Sequence, residues 1–147
     1  EALTHPPRPQ SEPMLGKPEW WRTAATGVLV GGVTLIAFER VLDTDSVEHA
    51  RTMAFSVLVF AQVFNAFAFR SFERVHFEVG AFKNPRLLGV TVLTCALHVG
   101  LVALPFTNDL FNLGPFSWSV MAWSLGLGLV PPTVLELWKL VRRPFVK

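Results

Sequence analysis

Residues 51–70 read RTMAFSVLVFAQVFNAFAFR, and between the two arginines every side chain is apolar or small except Thr52, Ser56, Gln62 and Asn65. A helix of about 20 mostly apolar residues is long enough to cross the hydrocarbon of a bilayer. Lipid offers no hydrogen bonds, so each unpaired polar group buried there costs on the order of several kcal/mol. Two amides in the middle of this run therefore need protein partners, and their placement is the question the sequence poses.

Working outward, three further blocks have the same character. Residues 20–42, WWRTAATGVLVGGVTLIAFERVL, form a first candidate span ahead of the run at 51–70. Residues 87–106, LLGVTVLTCALHVGLVALPF, form a third, and residues 118–141, from Trp118 through SLGLGLVPPTVLELWKLV, a fourth. Of the 147 residues 51% are hydrophobic and 16% charged, against about 25% charged in an ordinary soluble domain. A soluble four-helix bundle would show a polar stripe on each helix; the central turns of the first and fourth blocks have none. The expected fold is therefore all-α, a membrane domain of four transmembrane helices over residues 20–147 behind a connector at 1–19. That connector holds Pro6, Pro7, Pro9, Pro13 and Pro18 and cannot be one continuous helix.

Charge sets the orientation. Arg8, Lys17 and Arg22 lie at the first connector, Arg70, Arg74, Lys83 and Arg86 between spans two and three, and Lys139, Arg142, Arg143 and Lys147 after span four. Only Arg40 and Arg51 flank the two opposite loops. By the positive-inside rule both termini are cytoplasmic. All five tryptophans, Trp20, Trp21, Trp118, Trp123 and Trp138, fall within a turn or two of a span end, the depth at which an indole suits the headgroup layer.

A net charge of +2 with no basic run interleaved with aromatics gives no footing for nucleic acid. The single cysteine, Cys95, excludes an internal disulfide and a cysteine-based zinc framework. The first twenty residues lack the basic start and apolar core of a cleavable signal peptide, and the chain begins at Glu1, which leads us to expect a piece of a longer or processed polypeptide. No phosphate-binding loop, acid pair or nucleophile with a base is visible, so no catalytic residue is assigned.

Several polar or small residues inside the spans are candidates for packing or chemistry. Thr23, Gly27 and Gly31 recur every four residues and make a smooth strip suited to close helix packing. Thr91, Thr94, Cys95 and His98 share one face of span three. A zinc or copper site wants three or four ligands, so a hydrogen-bonded seam is favoured there over a metal. In span four Pro131 and Pro132 remove backbone donors in mid-membrane, next to Gly126 and Gly128. Glu136, three residues before Lys139, suits a local ion pair. For Gln62 and Asn65 two readings stay open: hydrogen bonds between helices, worth about 1 kcal/mol or less, or a neutral side-chain oxygen as a ligand for a hard, partly dehydrated cation.

Together these segments resemble the C-terminal transmembrane region, helices seven to ten, of P-type cation-transporting ATPases of the calcium-pump type. The stretch ALTHPPRPQSEPML is similar to the proline- and arginine-rich cytoplasmic loop before the seventh helix, ARTMAFSVLVFAQVFNAF to the eighth helix, and FKNPRLLG to the approach to the ninth. The resemblance implies a support domain that braces and partly lines the ion site of an ATP-driven pump moving calcium. It also implies partners in the upstream transmembrane helices and phosphorylation domain, with ATP and magnesium acting in that missing part. In two-calcium members the eighth helix supplies a glutamate at the position Gln62 matches. The neutral amide keeps an oxygen and loses a charge, which places Gln62 at the edge of a one-ion pathway or in a vestigial site. By the same resemblance Arg8 lies in a loop that couples the cytoplasmic phosphorylation domain to the membrane. The alternatives are a stand-alone four-span protein, either a small channel or an assembly subunit, and a pump for manganese, magnesium or sodium. The expected location is a multi-pass position in a membrane, the plasma membrane in a bacterium.

Overall fold

The structure, a computed structural model, describes residues 16–68 and 85–142. The described residues form six helices and no strand: α1 (Lys17–Leu42), α2 (Val47–Ala68), α3 (Pro85–Ala103), α4 (Pro105–Phe111), α5 (Trp118–Gly128) and α6 (Val130–Arg142). Three stretches are long and apolar enough to cross a membrane: Trp20–Leu42, Pro85–Ala103 and Trp118–Trp138. Large side chains such as Val28, Leu97 and Trp123 stand more than half exposed on them, which suits lipid or further helices far better than water. Arg8 and most of the first connector lie outside the described residues, as does most of the connector between the second and third apolar blocks.

α1 and α2 form an antiparallel pair joined by a tight turn. α1 unwinds at Asp43, and the Asp45 backbone N–H donates back to the Val41 carbonyl at 2.8 Å. Ser46 then caps α2: its hydroxyl accepts from the His49 N–H three residues on, at 3.3 Å. The Asp45 carboxylate accepts the Ser46 N–H at 2.7 Å and stands 3.1 Å from His49 Nδ1. That backbone bond first, and the histidine second, hold the Asp45 carboxyl below the usual carboxylate range.

α2 is the centre of the bundle and packs against α1, α3, α5 and α6. Toward α1 it contributes Met53 and Val57 to a core with Ala37, backed by Val33, Val41, Val120 and Leu127. Toward α3 and α5 it contributes Phe60, which meets Val102 and Met121. α5 comes closest at Gly128, where a Cβ, were there one, would stand 2.7 Å from Phe60 Cβ and 3.0 Å from the Ala61 backbone nitrogen. Only a residue without a side chain fits there.

Two helices end earlier than the apolar blocks suggest, both because of proline. The third block, read as continuous to residue 106, leaves the helix after Ala103: Leu104 precedes Pro105 and adopts an extended backbone (φ −84°, ψ 123°). Pro105 then opens the short α4, which stops at Asn112 in the left-handed region (φ 50°). The fourth block, read as one span over 118–141, breaks between α5 and α6 at Leu129, two residues before Pro131.

Gly128→Ala should force α2 and α5 apart and destabilise the protein by about 1–3 kcal/mol. Gly126→Ala, whose new methyl would meet open space, should be neutral or stabilising by up to about 1 kcal/mol. Thermal melts of the purified protein in detergent, followed by tryptophan fluorescence, separate the two.

Candidate functional site

The polar residues of α2 fall on different sides of the helix, and each side has its own neighbour. At the N-terminal end the fully buried Thr52 hydroxyl donates to the Glu48 carbonyl at 3.0 Å and accepts the Gly114 N–H at 2.8 Å. The same N–H reaches the Glu48 carbonyl at 2.9 Å, so the loop between α4 and α5 is fastened to the first turns of α2. Gly114 lies so close that a Cβ would meet His49 Cδ2 and His49 N, each at 2.8 Å.

One turn on, the fully buried Ser56 faces α3. Its hydroxyl lies 2.9 Å from His98 Nε2, and the imidazole is bracketed edge-on by Phe55 and Phe60 with ring centroids 5.1 and 5.3 Å away. A bond between buried polar partners on separate helices removes two desolvation costs at once and fixes the rotation of α3 against α2. Toward α5, the Ser124 hydroxyl reaches the Met53 sulfur at 3.0 Å while also donating to the Val120 carbonyl at 2.7 Å.

Asn65 is 3% exposed, and neither its amide nitrogen nor its carbonyl oxygen has a hydrogen-bond partner among the described residues. Gln62, three residues earlier, is exposed. It lines up with the exposed Leu58 and Ala66 at helical spacing, on the one side of α2 that no described helix covers. Further along this side, toward the helix start, Ala54 and Leu58 join Phe38, Arg51, Phe111 and Leu113 around a groove of about 320 Å³.

The other sequence candidates separate in the same way. His98 is brought to another helix, whereas the Thr94 hydroxyl donates to the Val90 carbonyl of its own helix at 2.8 Å, and Thr91 is half-buried on α3. Thr23 and Gly27 are exposed and Gly31 is half-buried; a methyl at either glycine would touch nothing within 4 Å. The face of α1 turned inward carries Val30, Thr34 and Ala37 instead. Cys95 is half-buried beside the Phe60 cluster.

Sequence reading noted Thr52, Ser56 and Gly128 without giving them partners. The spacing of Thr52 and Ser56 at i and i+4 on the most buried helix was the available signal, since small hydroxyls so placed bond across a close interface.

Chemically, the described residues offer a neutral oxygen at Gln62 on an open helix face. No group of three or more His, Cys, Asp or Glu that could hold a metal comes together among them. Calcium takes six to eight oxygens as a rule, of which Gln62 could supply one.

Comparison with known proteins places this architecture. The family model described as "Cation transporting ATPase, C-terminus" matches residues 1–141. The chain is 29% identical to a calcium-transporting ATPase of Listeria monocytogenes, over all of the chain and 17% of that protein. It is 30% identical to calcium-transporting ATPase 1 of Bacillus cereus, over 80% of the chain and 15% of the relative. With calcium-transporting ATPase type 2C member 2 of Mus musculus it shares 26% identity over 95% of the chain and 15% of the relative. The chain thus spans about a sixth of the length of the curated relatives it matches.

Ser56→Ala should leave the His98 imidazole buried against an apolar wall and cost about 1–3 kcal/mol. The double variant Ser56→Ala with His98→Leu should lose less than the sum of the two single changes, because neither polar group is then left alone. Melting midpoints of the four proteins test this, and strict additivity would remove the bond from the account of stability.

Proposed function

Because the chain belongs to the Cation transporting ATPase, C-terminus family, we propose that it is the C-terminal membrane domain of an ATP-driven P-type pump that transports calcium. The names of the relatives support calcium as the ion. On this reading all four apolar blocks cross the bilayer, α2 being the second crossing, and both ends of the chain are cytoplasmic. The one-sided distribution of lysine and arginine supports that orientation. ATP and magnesium act in the other domains of the pump, and this domain braces the helices that hold the ion.

The observation that carries the reading is the open side of α2. The other sides of that helix are covered by α1, α3, α5 and α6, while Gln62 stands exposed on the remaining one. A helix covered in this way has one side left for the ion-binding helices of the same pump, and Gln62 is the polar group it offers them. A neutral oxygen there keeps a place at the edge of the ion path while lacking the charge a second dication would need in a low dielectric.

In the intact protein, Gln62→Ala should raise the calcium needed for half-maximal phosphorylation from ATP by about three- to tenfold, as expected for losing about 1 kcal/mol of interaction. Gln62→Glu should increase the number of calcium ions bound per phosphorylated pump. Unchanged affinity and stoichiometry in both would reduce Gln62 to a packing residue. The same assay run with manganese, magnesium and sodium discriminates calcium from the rival ions.

Arg8 belongs to the proposal too, as a residue of the connector that touches the phosphorylation domain. Prolines on both sides of it stiffen the segment. Arg8→Ala should slow phosphorylation while leaving calcium affinity nearly unchanged, and wild-type values for both would dismiss the coupling role.

A further inference from the structure

Asn65 carries two N–H donors and a carbonyl acceptor, is 3% exposed, and has no hydrogen-bond partner among the described residues. Leaving such an amide unsatisfied in the interior costs on the order of several kcal/mol, so its surroundings must supply polar atoms. The register between α2 and the α5–α6 break shows which ones lie at its depth.

α2 and α5 run in the same direction: Thr52 meets Gly114, Met53 meets Ser124, and Phe60 and Ala61 meet Gly128. Asn65 lies four residues beyond Ala61, about 6 Å further along the axis, and there α2 packs against α6. The first turn of α6 holds Pro131, which is fully buried, and Pro132, which is also buried. Neither proline has an N–H. The Gly128 carbonyl therefore has no amide four residues on, and the Leu127 carbonyl is in the same position. Leu127 is left sharing the single Leu129 N–H, which also approaches the carbonyls of Leu125 and Gly126. The helical ladder resumes with Thr133 N–H donating to the Leu129 carbonyl at 3.1 Å. Carbonyls in an α-helix point toward its C-terminus, so those of Leu127 and Gly128 point toward the level of Asn65.

We propose that Asn65 and the carbonyls of Gly128 and Leu127 form a buried site for a water molecule that bridges α2 to the break between α5 and α6. The chemistry favours water over a cation. The groups named are all neutral, and Asn65 makes no direct bond to either carbonyl. A water accepts from the amide nitrogen and donates to a carbonyl without requiring the helices to move closer. Asn65 is in this sense a positioning residue for the joint in the last span, and it acts independently of Gln62.

The test is a double-substitution cycle in the intact protein, read as thermal midpoint in nanodiscs. Asn65→Leu should lower the midpoint by about 4 °C. Pro132→Ala returns an N–H to the Gly128 carbonyl, and in that background Asn65→Leu should cost less than half as much. Equal losses in the two backgrounds would overturn the link between Asn65 and the broken ladder. A density map of the unmodified protein at a resolution that shows ordered water is the second arm, independent of how the variants fold. Density within hydrogen-bond distance of both Asn65 and the Gly128 carbonyl is the expected result. The amide in direct contact with that carbonyl, or no density between them, would overturn the water site.

Discussion

The contact between Gly128 and the backbone of α2 sets the spacing on which the other contacts depend. Inside a bilayer apolar side chains gain nothing by leaving lipid for each other, so association rests on close fit and on polar atoms that find partners. With α5 seated against Phe60 and Ala61, Ser124 comes within reach of Met53, and the loop before α5 comes within reach of Thr52. A larger residue at 128 would lengthen all of these contacts together.

The same packing divides the surface of α2 by task. Its apolar sectors are covered by α1, α3 and α5, and within them Thr52 and Ser56 meet a loop amide and an imidazole. Gln62 lies outside the covered sectors and Asn65 within them. Two amides three residues apart thus meet different surroundings: Gln62 stands exposed, and Asn65 is buried among the helices.

The helical class and the approximate positions of the apolar blocks were legible from composition and block length alone, because a run of 18 or more apolar residues allows little else. The ends were less legible. Pro131 was read as removing a donor inside a single span and the third block was read straight through Pro105, whereas the helices yield after Ala103 and at Leu129, ahead of each proline. The seam on span three was read from shared spacing, yet of its residues His98 is the one that hydrogen-bonds to another helix; the hydroxyl of Thr94 turns back on the Val90 carbonyl of its own helix, an option open to any helical threonine. The strip of Thr23, Gly27 and Gly31 was visible as a pattern, but a pattern cannot say which neighbour is present, and none of the described residues fills the space above those glycines. The partner of Ser56 was hidden for a related reason, since it lies 42 positions away and rotation about two helix axes decides the pairing.

The fastening of Gly114 to Glu48 and Thr52 also has a mechanical meaning. Its hydrogen bonds pin the loop before α5 to the start of α2, at the end of the bundle where the α1–α2 turn also lies. With Gly128 seated on α2 as well, the two rods, α2 and α5, are held at both ends of α5, and the part left to move lies beyond that second contact. Strain applied to the far end of α6 would therefore leave Gly114 nearly still and reach its largest amplitude beyond Leu129, where the helix is already divided.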